Sequence, residues 1–519
     1  MGTIDFSKIK YDTGAASGRE ELAIDADLCV FGATSAGIAA AVQARRLGMS
    51  VVVVEFGRHL GGLTTGGLGA TDIGNKAAIG GIAREFYGAV GSHYGSTEPD
   101  GTKWTFEPSV AKRIYESWLQ AAEVPVYYNR RLRRVEKKGG RISRLLMEDG
   151  SSFGASVFID ASYEGDLMAG AGVEYRVGRE ANSEYKETLN GVHYGHPNHN
   201  FKAWVDPFVV PGKPDSGLIA GVADAPVLRQ GDGDASVQAY NFRICLTNVP
   251  DNRIPFPEPP GYDPETYTLL ARYIEAGVWD AMRLHKMMPN GKTDLNNFGA
   301  VSTDCIGGAD KWPEGDAAAR ERLFQEHLRY NLGMLYFLGN DERVPEAIRR
   351  EVSQWGLPAD EYADSGRFTP QLYVREARRM VSDVVMTERH CRGYEVVDDS
   401  VGLAAYTMDS HNCRRLVIDG RCVNEGNVEV AVGSPYPISY RAIVPKGEQC
   451  VNLLVPVCLS ASHIAFGSIR MEPVFMILGQ SAASAAALAL ETGCAVQDVE
   501  YAKLRKRLLE DRQVLDWSK

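Results

Sequence analysis

The chain has 519 residues, of which 44% are hydrophobic and 24% are charged. This length and amino-acid composition are typical of a folded globular protein of two or three domains, and the composition excludes a disordered, collagen-like or coiled-coil chain. The 56 basic and 67 acidic residues give a net charge of −11 without any basic run, so we expect no nucleic acid among its partners.

Nine cysteines without CxxC spacing favour reduced thiols over a disulfide framework or a zinc finger. The first 25 residues lack the cationic start and apolar core of a signal peptide. The longest apolar stretch, residues 473–490, is interrupted by Gly479, Gln480 and Ser481, so we expect no membrane insertion. We predict a cytoplasmic protein, and these features do not decide whether it forms a homo-oligomer.

Residues 27–55 predict a strand, a tight turn, a helix and a second strand. Residues 27–31 (DLCVF) are a short apolar run, residues 36–47 an Ala-rich helix, and residues 51–54 (VVVV) a strand buried on both faces. The turn reads GATSAG, and Glu55 follows the second strand. Within a βαβ unit, this spacing matches the dinucleotide-binding fingerprint.

The positions of this turn have different physical tasks. Gly32 permits the tight turn, Gly37 lets the helix pack close to the strand, and the first helical turn offers free N–H groups to a pyrophosphate. Glu55 is expected to accept hydrogen bonds from ribose hydroxyls, and Thr34 departs from the fingerprint by replacing its second glycine. The predicted cofactor contacts of the turn are Gly32, Ala33, Thr34, Ser35, Ala36 and Gly37.

A glycine-rich loop after Glu55 favours FAD over NAD. Residues 61–69 (GGLTTGGLG) contain five glycines in nine positions, which is typical of backbone that lies against a ligand. A mobile surface loop is the alternative. The cofactor contacts predicted in this region are Phe56, Arg58, Gly62, Leu63, Thr64, Thr65 and Gly66.

The fingerprint, Glu55 and the double-glycine loop together resemble the FAD domain of the glutathione-reductase-type flavoproteins. Residues 158–167 (FIDASYEGDL) resemble the segment that returns to the FAD ribityl and pyrophosphate in that superfamily. Residues 370–379 (PQLYVREARR) and 462–473 (SHIAFGSIRMEP) are similar to a family of FAD-dependent oxidoreductases, distantly similar to fumarate reductase and succinate dehydrogenase flavoproteins and often found with carbohydrate-degradation genes. The resemblance covers about residues 27–490.

This resemblance implies that FAD is held noncovalently, because the position of the linking histidine in the fumarate reductase relatives lies here within LTT, residues 63–65. It also implies that the N-terminus of the helix from residue 473 stabilises negative charge at flavin N1 and C2=O. The further cofactor contacts that it implies are Val135, Asp160, Ala161, Ser162, Asp166, Ser468, Ile469 and Arg470.

The remaining segments predict the domain organisation. Short alternating segments at 127–160 predict a β-meander, which packs beside the adenine in this superfamily. Residues 176–437 lack a second fingerprint for NADPH, contain a strand at 238–247 and a helical stretch at about 264–354, and are assigned to substrate binding. We therefore predict an α/β fold, in which a Rossmann-like FAD-binding domain with a parallel sheet and a β-meander (residues 1–175 and 438–519) receives an inserted mixed α+β substrate domain.

Hydride transfer to flavin N5 needs a base for the proton that leaves the substrate. Histidine and tyrosine can supply it, and arginine offers a fixed fork of donors for an anionic or polyhydroxylated substrate. The candidate bases are His411, His463 and then Tyr440, and the candidate orienting residues are Arg375, Arg441 and Arg470. His193, His196 and His199 are spaced like metal ligands, but the neighbouring Gly and Pro break the helix that would align them, so no metal is expected.

The leading hypothesis is an FAD-dependent dehydrogenase or oxidase of a small polar metabolite. The family association makes that metabolite a sugar or a sugar-derived acid. The alternatives are a flavin-dependent reductase of an activated C=C bond in an unsaturated acid, and a flavin-binding protein without redox turnover. The sequence does not identify the electron acceptor, whether oxygen, a quinone or a carrier protein.

Overall fold

The computed structural model describes residues 3–14, 22–284 and 287–517. Its strands are β1 (Ala23–Phe31), β2 (Val51–Val54), β3 (Val126–Tyr127), β4 (Leu132–Lys138), β5 (Arg141–Met147), β6 (Ser152–Asp160), β7 (Tyr175–Arg176), β8 (Ile244–Thr247), β9 (Arg253–Ile254), β10 (Met287–Met288), β11 (Lys292–Leu295), β12 (Leu357–Pro358), β13 (Arg379–Met380), β14 (Ser400–Ala404), β15 (Met408–Ser410), β16 (Arg414–Ile418), β17 (Arg421–Glu425), β18 (Val428–Val430), β19 (Tyr436–Ser439) and β20 (Leu453–Leu454). Its helices are α1 (Ser35–Arg46), α2 (Gly62–Thr65), α3 (Gly81–Tyr94), α4 (Pro108–Ala121), α5 (Asp166–Gly170), α6 (Asn182–Tyr185), α7 (Thr268–Glu275), α8 (Ala317–Asn340), α9 (Glu346–Val352), α10 (Glu388–Cys391), α11 (His463–Ile469), α12 (Glu472–Thr492) and α13 (Tyr501–Glu510).

The main sheet has the strand order β3-β2-β1-β6-β5-β4, with β20 paired to β6 beside this path. Strands β3, β2, β1, β6 and β20 are parallel, whereas β4, β5 and β6 form an antiparallel meander. The four valines of β2 are all buried, as expected for a strand covered on both faces. This topology confirms the predicted α/β class, and β20 brings the last part of the chain back to the first sheet.

Helix α12 packs against α1 at close range. A Cβ atom at Gly479 would lie 2.2 Å from the backbone oxygen of Ala36, so only glycine permits this approach. Helix α12 is also the one helix in the described ranges that is long and apolar enough to span a membrane, but 94% of its most apolar window is buried inside the protein. The environment of this helix is therefore the protein core.

The described residues form two large hydrophobic cores. One surrounds the main sheet and α12, and it also takes in residues between β13 and β19, such as Met386 and Met408. The other is built around β8, α7 and α8, and it includes Ile9 near the start of the chain. The predicted substrate region, 176–437, therefore contributes side chains to both cores.

Two secondary-structure predictions in this region differ from the structure. The helical stretch predicted at 264–354 divides into α7, α8 and α9, with the β10–β11 hairpin after α7; residues 285–286 of this stretch lie outside the described part. Asn290 and Gly291 turn the hairpin with positive φ angles of 58° and 69°, which hydrophobic periodicity does not reveal. The strand predicted at 238–247 is regular only over Ile244–Thr247.

Candidate active site

The fingerprint turn is tightly packed where the sequence requires glycine. Gly32 has a φ of +100°, and a Cβ at Gly37 would lie 1.9 Å from the backbone oxygen of Gly32. Thr34 caps α1: its hydroxyl accepts from the Gly37 N–H at 3.3 Å and donates to the Ala161 carbonyl at 2.7 Å. Its φ of −73° is open to any residue, so a threonine serves here as a helix cap in place of the fingerprint's second glycine.

Glu55 holds this turn from the end of β2. Its Oε2 accepts from the Ala33 N–H at 2.6 Å, and its Oε1 accepts from the Gly57 N–H at 2.8 Å. Burial raises the pKa of Glu55 to about 7, although the two amides oppose this shift. Each carboxylate oxygen keeps a further lone pair with which it can accept a hydroxyl donor.

Four separate segments meet at the N-terminus of α12. The Glu472 carboxylate accepts hydrogen bonds from Ser35 Oγ at 2.5 Å, Thr64 Oγ1 at 2.7 Å and Tyr163 Oη at 2.7 Å. Ser35 belongs to the fingerprint, Thr64 to the glycine-rich loop, and Tyr163 to the returning segment, residues 158–167. The structure thus brings together the motifs that the sequence assigns to one cofactor site. Glu472, which the sequence did not single out, places a buried carboxyl at the helix N-terminus, and burial raises its pKa.

The glycine-rich loop is folded against its neighbours. Gly62 has a φ of +55°, and a Cβ there would lie 2.2 Å from Tyr163 Oη, which accepts from the Leu63 N–H at 2.9 Å. The Gly66 carbonyl accepts from Thr369 Oγ1 at 2.5 Å. Thr65 Oγ1 lies 2.9 Å from Nε2 of His59, a ring that is neutral near pH 7 because burial lowers its pKa to about 4.

A cavity of about 440 Å³ opens between the meander and the second core. Phe31, Phe56 and Val135 line it, as does Asp166, which is paired with Arg320 at 2.6 Å. Phe31 at the end of β1 and Phe56, the residue after Glu55, give this cavity apolar surface that is suited to an adenosine group. The N–H groups of the first turn of α1 that Thr34 does not cap are suited to its pyrophosphate. The residues present therefore fit FAD.

The remaining predicted cofactor contacts have other surroundings. Asp160 accepts from Ser162 N and Oγ and from Met168 N at 2.6–3.0 Å, and burial raises its pKa to about 6. Arg58 is exposed, and Ile469 is fully buried in the first core. Ser468 Oγ donates to the Tyr406 carbonyl at 2.5 Å. As contacts of FAD, these residues stay predictions.

A second cavity, of about 270 Å³, lies where β11, β15 and β18 meet. Its walls are mostly polar and carry both acids and amides. They are formed by Asp72, His199, Arg283, Asp294, Asn296, Asn297, Phe298, Tyr406, Thr407, Asp409, His411 and Glu429. We name it the substrate cavity.

His411 is the candidate base that lines the substrate cavity. Its Nδ1 lies 2.8 Å from Asp304 Oδ2, and its Nε2 lies 3.5 Å from Asp409 Oδ2. Burial would raise the pKa of both carboxyls, but the charges of Arg375 and His411 on Asp304, and of His411 and Arg470 on Asp409, lower it overall. With the Asp304 carboxylate as its acceptor, His411 Nδ1 carries a proton, and Nε2 is the ring nitrogen that can exchange a proton with a ligand.

Three buried arginines surround the ring of Tyr373, which packs against Leu63 and Leu68 of the glycine-rich loop. Arg243, Arg375 and Arg470 lie 5.9, 4.6 and 5.6 Å from the ring centroid. Each is paired with one aspartate, at 2.6 Å for Arg243 with Asp294, 2.9 Å for Arg375 with Asp304, and 3.2 Å for Arg470 with Asp409. The cluster joins the glycine-rich loop to the substrate cavity.

His463 is buried beside this cavity and does not line it. It is the first residue of α11. Its Nδ1 lies 2.6 Å from Glu376 Oε2 and its Nε2 lies 2.9 Å from Ser410 Oγ, so both nitrogens are engaged. The charges of His463 and Arg379 lower the pKa of Glu376 to about 2 against the effect of burial. His463 therefore holds Ser410, the neighbour of His411.

The structure does not bring Tyr440 and Arg441 to the substrate cavity. Tyr440 Oη donates to the Val496 carbonyl at 2.5 Å, in the core beyond α12. Arg441 is half exposed and paired with Asp398 at 2.7 Å and Asp399 at 2.9 Å. Both were chosen by residue type, and both lie in the 3₁₀ turn, residues 440–442, that follows β19.

Sequence reasoning did not find the acids of the cavity. Asp304 and Asp294 come from segments without a motif, and His199 was considered only as part of a metal-like run. His199 lies 3.3 Å from Glu429, and no group of three or more metal-ligating side chains occurs within residues 3–14, 22–284 and 287–517. In the sequence, the one indication of these acids was Asp409, which lies two residues before His411.

Comparison with solved structures gives partial matches at low similarity. A thioredoxin reductase from Streptococcus pyogenes is 22% identical over 31% of this chain and 40% of that chain, with a TM-score of 0.18. An L-amino acid deaminase from Proteus vulgaris is 19% identical over 36% and 57%, with a TM-score of 0.23. A 3-ketosteroid-Δ4-(5α)-dehydrogenase from Rhodococcus jostii is 15% identical over 29% and 48%, with a TM-score of 0.20. The matches span less than two thirds of these chains, and at such scores they support no argument.

No curated protein matches the sequence. The family model described as FAD dependent oxidoreductase matches residues 27–508, which is nearly the whole chain. The match includes the fingerprint, the glycine-rich loop, the His411 and His463 segments and α12. The predicted FAD cofactor and oxidoreductase class are therefore confirmed, and this chain belongs to the FAD-dependent oxidoreductase family.

Proposed function

We propose that the protein is a dehydrogenase or oxidase that removes two electrons from a C–OH group of a small polar metabolite, either a sugar or a sugar-derived acid. The observation that carries this proposal is His411: it lines a polar cavity, and it is oriented by Asp304, which is paired with Arg375 of the arginine cluster around Tyr373. This is the arrangement of a general base with an orienting carboxylate.

In this proposal, His411 Nε2 takes the hydroxyl proton of the substrate as its C–H bond breaks. FAD, when bound, supplies a two-electron acceptor that receives the hydride. Asp304 holds the ring by its Nδ1 proton, and its ionised carboxylate stabilises the imidazolium that forms. Asp409, 3.5 Å from Nε2, adds a second negative charge on the side that receives the proton.

The walls of the cavity orient the substrate. Asn296 and Asn297 present amide groups that donate to and accept from hydroxyls, and Phe298 presents an aromatic ring. Ser410, held by His463, fixes the strand end from which His411 projects. Arg375 and Arg470 act indirectly, because each is paired with one of the two carboxylates, Asp304 and Asp409, that lie beside His411.

The alternative, reduction of an activated C=C bond in an unsaturated acid, needs arginines that receive a carboxylate. Arg243, Arg375 and Arg470 are already paired with aspartates of the protein, and Arg283, the arginine that lines the cavity, stacks on Phe298, so the second proposal has less support. A flavin-binding protein without turnover would need no base in a cavity.

Anaerobic reduction of the bound flavin tests the proposed function. The holoenzyme is mixed with candidate hexoses and hexonic or uronic acids without oxygen, and bleaching of the flavin absorbance is followed. Bleaching by at least one of them, lost in His411→Asn, supports the proposal. Reoxidation of chemically reduced flavin by an unsaturated acid such as fumarate, without reduction by any hexose or acid, would favour the alternative.

A further inference from the structure

The walls of the substrate cavity carry more carboxylates than cations. Among the described residues that line it, four are acids, namely Asp72, Asp294, Asp409 and Glu429, and one is an arginine, Arg283. The arginine is exposed, and its guanidinium lies 4.6 Å from the centroid of the Phe298 ring. Because the side chain of Asp294 is fully buried, the carboxylates open to a ligand include those of Asp409 and Glu429, whose side chains are partly exposed.

The buried arginines do not reverse this charge. Arg243 donates twice to Asp294, at 2.8 and 2.6 Å, and Arg470 donates to Asp409 at 3.2 Å. Neither arginine lines the cavity. Arg243 neutralises the fully buried carboxylate of Asp294, whereas Arg470 fixes the carboxylate of Asp409, which is partly exposed and meets an incoming anion with like charge.

The same wall suits hydroxyl groups. Fixed carboxylates accept from hydroxyl donors, and the amides of Asn296 and Asn297 both donate and accept. Phe298 and Tyr406 add apolar surface. The volume of about 270 Å³ limits the ligand to a small molecule.

We propose that the cavity selects an uncharged polyhydroxylated substrate of monosaccharide size and rejects the corresponding carboxylic acid. This inference rests on the proposed function, because it assigns specificity to the cavity in which His411 acts. Its recognition elements are Asp409, fixed by Arg470, together with Glu429 and the two asparagines.

Matched pairs of neutral and acidic sugars test the inference. The holoenzyme is reduced anaerobically by D-glucose, D-galactose or D-mannose, each compared with its uronic acid. We expect at least one neutral sugar to bleach the flavin about tenfold or more faster than its acid. Equal or faster reduction by the acids would overturn the inference and leave the proposed function standing. Reduction by neither member of any pair would overturn both.

Glu429→Gln tests whether charge is the cause. Glu429 is partly exposed on β18, and its carboxylate accepts from Asn427 Nδ2 at 3.0 Å, a bond that an amide oxygen can keep. We expect the ratio of neutral to acidic reduction rates to fall about threefold or more. Glu510→Gln, an exposed position at the end of α13, is the matched control and keeps the wild-type ratio. An unchanged ratio in Glu429→Gln with FAD still bound would overturn the inference.

Discussion

At the scale of single residues, the site depends on pairs in which one group sets the state of another. Asp304 decides which nitrogen of His411 carries the proton, and Glu376 does the same for His463. The two histidines have similar partners but different access, because only His411 lines the substrate cavity. Because a ligand in the cavity can reach His411 but not His463, we assign proton transfer to His411 and a positioning role to His463.

His411→Asn is expected to slow flavin reduction by roughly 10²- to 10⁴-fold while FAD stays bound, because the asparagine amide cannot accept the proton. Stopped-flow reduction under anaerobic conditions measures the rate. His93→Asn, at an exposed position on α3, is the control and should behave as wild type. Equal rates in the two variants would contradict base catalysis by His411.

Glu55→Gln is expected to weaken FAD binding by about 1–3 kcal/mol at pH 8, because a charged acceptor is lost from the ribose hydroxyls. Since burial raises the pKa of Glu55 to about 7, the wild-type carboxylate is mostly protonated at pH 6 and ionised at pH 8. FAD affinity should therefore rise up to about tenfold between these pH values in the wild type, and stay flat in the variant. Fluorescence titration of the apoprotein measures it.

The control for this measurement is Glu116→Gln on the exposed face of α4. It should keep both the affinity and the pH dependence of the wild type. If Glu55→Gln kept the same rise in affinity as this control, Glu55 would not be the group that titrates against FAD.

At the scale of elements, local patterns were sufficient for the βαβ unit. Apolar runs, Gly32 and Gly37 lie within 28 residues of each other, and the structure places β1, α1 and β2 within a few residues of the predicted bounds. Local patterns could not predict the substrate cavity, because its residues lie far apart in the sequence. Its acids come from β11, β15, β18 and loops between them, and only tertiary pairing tells Arg375 from Arg441, which share the same chemistry.

Gly37→Ala tests the contact between α1 and the fingerprint turn. The added Cβ would lie 1.9 Å from the Gly32 backbone oxygen, so helix and turn must move apart. We expect a loss of about 1–3 kcal/mol or more in the free energy of unfolding, together with weaker FAD binding. Thermal unfolding and FAD titration measure the two effects.

Gly88→Ala is the matched control, because Gly88 lies inside α3 with nothing within 4 Å of its would-be Cβ. It should stabilise the protein by about 0.5–1 kcal/mol, since alanine favours the helix. A Gly37→Ala protein as stable as this control, with normal FAD affinity, would contradict the packing argument.

At the scale of the whole molecule, the two cores are joined around the predicted cofactor. Arg320 and Arg378 from the second part of the chain reach Asp166 at 2.6 and 2.7 Å. Asp294 of β11 accepts from the Gly69 and Ala70 amides of the glycine-rich loop at 3.1 and 3.3 Å. The predicted cofactor site thus lies where the two cores contact each other, and we expect FAD to stabilise both.

Replacing Tyr11 tests whether the predicted cofactor site and the second core are coupled. Its ring stacks on Phe56, which lines the adenosine-sized cavity, at 4.8 Å, and meets the edge of Trp312 in the second core at 4.9 Å. An aromatic pair of this kind contributes about 0.5–1.5 kcal/mol beyond its buried area. Tyr11→Ala should therefore weaken FAD binding by roughly two- to tenfold and lower the unfolding midpoint. Lys10→Ala, next to it and exposed, should do neither, and identical affinity and midpoint in both variants would show that Tyr11 does not link the cores at the cofactor site.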